Sequence, residues 1–227
     1  MLNYTISTMN SKSTLNLETL PTAYALRLSG KLNGGGFPPS SAWRQARPVR
    51  FDQDWRGKNR DKLRTTEVRL LWKLETFFLR FAARYRTISV YSDAREDGWR
   101  YELWEKDVAE VFLQPDASDP FEYQELEVAP NGFWIDLHIS HGKNRELHSG
   151  LQRRATLDPA TKIWTVEVAV PMKSLTDHFD PSHSWRANFF RVEGRQEPRF
   201  YSAWNATRTE KPNFHVPAAF GHLVFVK

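Results

Sequence analysis

The 227-residue chain contains no cysteine, which excludes a disulfide framework, a thiolate nucleophile and a cysteine-built zinc site. Methionine is scarce, at positions 1, 9 and 172 only. No HExxH spacing is present to hold zinc, and no GxSxG elbow to expose a serine nucleophile. The seven histidines are scattered; His138 and His141 lie near one another, but without a metal-binding spacing. No run approaches the roughly 18 apolar residues of a membrane-crossing helix. Residues 1–30 also lack a basic segment followed by an apolar core, so the sequence as written is expected to be soluble, cytoplasmic and not exported. A start upstream of Met1 would reverse the expectation about export.

Charge of one sign is missing only locally. The net charge is +5, but residues 41–100 carry 15 Lys/Arg against 8 Asp/Glu, while residues 101–140 carry one Lys against ten acids. Proteins that track phosphates need a basic stripe with the acids kept elsewhere. Here the most motif-like stretch is the most acidic, so neither nucleic acid nor membrane is expected as a partner.

Aromatic residues are abundant, at 14% with nine Trp and fifteen Phe. That supplies a core and leaves rings over for other work. Residues 1–40 read as a polar lead-in that ends in the loop signal Gly34-Gly35-Gly36-Phe37-Pro38-Pro39, and one domain spans 41–227. Thr66–Trp72 and Phe77–Tyr85 flank a short turn and predict a hairpin. Further strands are expected at Asp107–Gln114, Glu122–Val128, Phe133–Ile139, Leu151–Leu157, Ile163–Val170, Ser184–Val192, Phe200–Trp204 and His222–Val226. Helical character is confined to Met172–His178. About ten short strands without a βαβ rhythm predict an all-β, antiparallel, jelly-roll-like β-sandwich with one short helix.

The candidate chemistry lies in the acidic stretch. Alternation from Asp107 puts Val108, Glu110 and Phe112 on one face of a strand that is apolar on both sides. A carboxylate there costs several kcal/mol unless it is paired or faces a cleft. Either Glu110 makes a structural salt bridge, to Arg80, Arg84 or Arg191, or it accepts hydrogen bonds at the floor of a ligand site. Glu125 and Glu127 share a face of the next strand. With Glu110 they could form a glycosidase acid/base pair, supply hard oxygens to calcium, or accept from sugar hydroxyls. No loop of alternating Asp/Asn with Gly marks a calcium site. Trp72, Trp164 and Trp185 are expected in the core. Trp104, Trp204 and Phe214 stand in or beside loops, where a ring can stack on the C–H face of a sugar.

In chain order, Leu103-Trp104-Glu105-Lys106-Asp107-Val108-Ala109-Glu110-Val111-Phe112, Tyr123-Gln124-Glu125-Leu126-Glu127-Val128-Ala129-Pro130-Asn131-Gly132, Trp164–Pro171, Trp185–Arg191 and Phe214–Gly221 resemble the family-nine carbohydrate-binding modules. The resemblance spans roughly residues 43–227 and implies a β-sandwich related to DOMON folds, with a mono- or oligosaccharide end held between two rings at its edge. It implies a module without catalysis that acts alone or beside a glycoside hydrolase in trans; no cofactor is expected, with a structural calcium left open by the carboxylates. Trp104 is then one stacking ring, Glu110 the hydroxyl binder beneath it, and Phe214 the second ring, with Trp204 as a substitute. Glu127 and Asn188 are further hydrogen-bonding candidates. Two departures stand out: Phe214 occupies the place of a Trp, and Glu127 and Ala129 fall where sugar binders carry an Arg and an Asn. Related DOMON sandwiches hold haem through a Met, which keeps a haem site as one alternative and a glycoside hydrolase using Glu110, Glu125 and Glu127 as another.

Overall fold

A computed structural model describes residues 20–227. In chain order its elements are β1 (Thr22–Arg27), α1 (Ser40–Gln45), β2 (Val49–Phe51), β3 (Thr66–Lys73), β4 (Thr76–Arg84), β5 (Val108–Gln114), β6 (Glu122–Val128), β7 (Trp134–Ser140), β8 (Lys143–Glu146), β9 (Gln152–Asp158), β10 (Ile163–Pro171), β11 (Trp185–Glu193), β12 (Phe200–Ala203) and β13 (Gly221–Val226). The strands join into one sheet of order β8-β7-β6-β5-β11-β13-β1-β3-β4-β10-β9, with β12 added to β11 and β2 to β3. The sheet curls until its two halves face each other as a sandwich. Phe81 on β4 meets Phe189 on β11 with ring centroids 6.4 Å apart, and Phe77 meets Trp185 at 6.1 Å.

Alternation decides which side chains enter that core. Trp164, Val166, Val168 and Val170 point inward from β10, and Trp72, Trp164 and Trp185 are all buried, as expected. The predicted hairpin is β3–β4, paired in register from Thr66↔Ala83 to Lys73↔Thr76. The strand expectations from residue 107 onward each match a strand to within a residue or two at either end.

Three expectations need correction. Residues 22–27 are no lead-in: they form β1, in the middle of the sheet, so the domain begins well before residue 41; residues 1–19 lie outside the described residues. The sheet is mixed rather than purely antiparallel, because β1 runs parallel to both β13 and β3. The helix expected at Met172–His178 is a single 3-10 turn, Met172–Ser174, and the α-helix is α1 instead. Six residues are too few for a 3.6-residue period to be read. What holds α1 is tertiary: Trp43 packs with Leu28, Phe37, Leu71 and Phe78 in a small second core.

Candidate functional site

β5, β6, β7 and β11 lie side by side, and alternation gives each an inner and an outer face. Phe189 faces the sandwich core, so its neighbour Phe190 faces outward, and Glu110 is directly opposite Phe190 in register. Glu110 is also opposite Glu127 on β6, and Phe112 opposite Glu125. The register therefore brings Glu110, Glu125 and Glu127 together on one outer face, with one oxygen of each within 4.8 Å of the other two. Loops roof this face, and the residues are only 2%, 3% and 0% exposed.

Among the described residues no cation forms an ion pair with them. Arg80 pairs with Glu167, and Arg191 points to the opposite face, where it pairs with Glu193 and lies over Trp164. A structural salt bridge to Glu110 is thus not formed. Burial, then the neighbouring Glu125 charge, pushes the Glu110 carboxyl well above the ordinary carboxylate range. Burial, then the charges of Glu110 and Glu125, does the same to Glu127. Burial raises Glu125 as well, against the lowering influence of Glu127 and His215. Glu125 and Glu127 can share a hydrogen bond only when one of them carries a proton, since as carboxylates both only accept.

Above the acids is a cavity of about 280 Å³, lined by Trp104, Glu110, Glu125, Arg199, Tyr201 and Phe214, among others. Three chain segments build its walls. The first is the 3-10 turn Leu103–Glu105, entered through Glu102 in the left-handed region at φ 58° and anchored by buried Leu103. It presents Trp104, half-buried, with Tyr101 edge-on at 5.4 Å. The second runs into β12: Arg199 Nη1 donates to the Trp104 carbonyl at 2.9 Å, and Nη2 donates to the Tyr201 hydroxyl at 2.7 Å. Arg199 also pairs with Glu197, so one guanidinium ties the Trp104 turn to the opposite wall. The third is Pro212–His215, where the His215 ring is hydrogen-bonded through Nδ1 to the Tyr123 hydroxyl at 2.8 Å.

Of the six residues expected at a sugar site, the structure brings Trp104, Glu110 and Phe214 to this cavity. Phe214 has one face stacked on Phe190, centroids 4.2 Å apart at 12°, and is only 8% exposed, so it offers a wall more than a free plane. The other three do not line the cavity. Trp204 packs against Phe189 at 5.3 Å, on the core side of β11. Asn188 is buried with both ends occupied: Nδ2 donates to the Asn205 and Ala219 carbonyls, and Oδ1 accepts from the Asn205 amide. It fastens a loop and has no group left for a ligand. Glu127 lies behind Glu110 and Glu125, out of reach of the cavity surface.

Sequence reasoning missed Arg199, Tyr201, Asn144 and His215. Arg199 and Tyr201 share a face of the stretch after Pro198, a signal that was readable. Asn144 lies on β8, whose all-polar Lys-Asn-Arg-Glu shows no alternation. Met172, the only methionine among the described residues, is buried outside the cavity, so no described Met stands at the pocket to ligate haem.

A curled β-sandwich with a roofed, aromatic-walled pocket on one sheet face is the architecture of a ligand-binding module. The chain belongs to the carbohydrate family 9 binding domain-like family, whose sequence model matches residues 36–227. It is 26% identical over 181 residues to an extracellular protein of Arthroderma benhamiae, covering 71% of this chain and 78% of that one. Among solved structures, a Bacteroides uniformis protein provisionally described as carbohydrate-binding superposes with a TM-score of 0.71 at 15% identity, over 91% of this chain and all of that one. A family 9 carbohydrate-binding module of Caldicellulosiruptor kristjanssonii, solved with cellotriose and with glucose, gives 0.62 at 13% identity, over 91% of this chain and 94% of that chain for the cellotriose complex. These likenesses fix the fold as that of a family 9 module.

Proposed function

We propose that the cavity holds one end of a mono- or oligosaccharide and that the protein is a binding module without catalysis. The observation that carries this reading is the half-buried Trp104 ring on one wall of a cavity of about 280 Å³ that also exposes a few polar groups, Glu110, Arg199 and Asn213 among them. A sugar lays its C–H face on such a ring and gives its hydroxyls to Glu110, Arg199 and Asn213. Tyr201 and Phe214 close the opposite side. Family membership supports the same class of ligand, and the related module solved with glucose and cellotriose points to a glucose-type chain end. A glycoside hydrolase acting on the same polysaccharide is the partner this role suits.

Geometry argues against hydrolysis by this chain. Glycosidases place two carboxyl groups on either side of the scissile bond, about 5 Å apart or more. Glu110, Glu125 and Glu127 instead crowd together on one sheet face beneath the cavity.

Titration of tryptophan fluorescence with glucose, cellobiose and cellotriose tests the reading. The wild type is expected to saturate with a Kd on the order of 10⁻³ to 10⁻⁶ M, and Trp104→Ala to bind at least ~10-fold more weakly. A wild type that responds to no saccharide, or a Trp104→Ala variant that binds as well as the wild type, sinks it.

A further inference from the structure

The chain treats its other buried acids very differently from the three under the pocket. Asp107 accepts from the backbone amides of Ser89 and Gly194, at 3.0 and 2.8 Å. Asp136 accepts from the Ser149 amide at 2.7 Å. Asp54 is held by Arg56 and Asn59, and Glu167 by Arg154. Glu193 has Arg191, Arg64 and two backbone amides. Glu110 Oε1, Glu125 Oε2 and both Glu127 oxygens meet no donor at all, although each side chain is more than nine-tenths buried. Leaving that many carboxylate oxygens unpaired in a protein interior costs several kcal/mol for each charge.

We propose that Glu110, Glu125 and Glu127 form a site for one hard divalent cation of the calcium class, set in the pocket floor. Calcium–oxygen distances of about 2.3–2.6 Å let ligand atoms stand up to about 5 Å apart across the ion, and the three oxygens converge within 4.8 Å. The ligand set contains only carboxylate oxygen, which suits calcium and its class over zinc or copper. Glu110 and Glu125 reach the cavity, so an ion can enter from it and complete its coordination with water. Two positive charges set against three negative ones remove most of the mutual repulsion on this face. The remaining charged or titratable groups at the cavity are Glu105, Arg199, Tyr201 and His215. Arg199 is held by Glu197, Glu105 and Tyr201; its charge acts on Glu110, but it forms no ion pair with the floor.

Another group of possible ligands, Asp119, Glu122 and His141, is partly exposed. Its acids are already partnered: Asp119 accepts from the Phe121 amide, and Glu122 from Ser140 and His138. It serves as the control.

The test uses chelator-stripped protein and calcium chloride alone, without saccharide, so its outcome is separate from that of the sugar reading. Calorimetric titration is expected to give one ion per chain with a Kd on the order of 10⁻⁵ to 10⁻³ M. Calcium at ~100-fold above Kd should raise Tm by about 5–10 °C. Glu127→Gln should weaken binding at least ~10-fold, while Glu122→Gln leaves it unchanged. The thermal shift also changes sign between media. In chelator Glu127→Gln melts higher than the wild type, because the amide removes a like charge and supplies a donor, and in calcium it melts lower. A variant that simply packs badly melts lower in both; Glu110→Gln then takes its place in the same titration. No saturable binding by the wild type, binding indifferent to both triad substitutions, or loss confined to Glu122→Gln overturns the proposal.

Discussion

Glu127 has no exposed surface and faces two further carboxyl groups, so its ionised form is disfavoured in the folded chain and not in the unfolded one. The folded state therefore holds protons that the unfolded state releases, and stability falls as pH rises across that interval. Glu110 and Glu125 act in the same direction. Asp107, pushed up to about 6 chiefly by burial, adds a window between its unfolded value near 4 and about 6. Asp61 works the other way: the Arg86 hydrogen bonds hold it below its ordinary value, so its contribution is present above the unfolded pKa and is lost as pH falls through the folded one. In chelator, then, Tm should fall as pH rises from about 4 through about 6, and the fall should be shallower in Glu127→Gln. Thermal melts across that range check it, and a wild-type Tm that climbs instead would remove this account of the triad.

Single elements show what the sequence carried and what it could not. The β3–β4 hairpin and β10 were legible because alternation within one segment is a local signal. β1 was not: its buried residues are only Ala23 and Ala25, and its partners lie near residues 70 and 224. Trp104 and Glu110 were legible because they flank one another in a single motif. The Arg199 link to Trp104 spans 95 positions and was visible only once the walls were assembled. Trp204 was misread for a related reason, since a loop-borne ring next to polar residues says nothing about which face of the sheet it covers. It closes over Gly221 at the start of β13, where an added Cβ would stand 2.5 Å from the Pro21 carbonyl and 2.7 Å from the Trp204 ring. Gly221→Ala should accordingly cost about 1–3 kcal/mol, read by urea unfolding, with the Trp204 environment altered in the fluorescence spectrum. A neutral result would mean that β1 and Trp204 are not packed against that glycine.

Across the whole molecule the strands form one continuous sheet, with β13 and β1 between its two halves. Neither half can close its core without them: Ala23, Ala25, Leu223 and Phe225 all belong to it. Unfolding should consequently be a single transition, with far-ultraviolet circular dichroism and tryptophan fluorescence giving the same urea midpoint. Separate midpoints would show that the two halves stand independently.

The parallel ladder between β1 and β13 has a mechanical meaning as well. Thr22 is beside His222 and Leu26 beside Val226, so the chain enters this ladder at one end and leaves it at the other. Tension along the polypeptide would slide the two strands lengthwise past each other. Their hydrogen bonds lie across that direction and share the load at once, where an antiparallel hairpin pulled from its open end would unzip rung by rung.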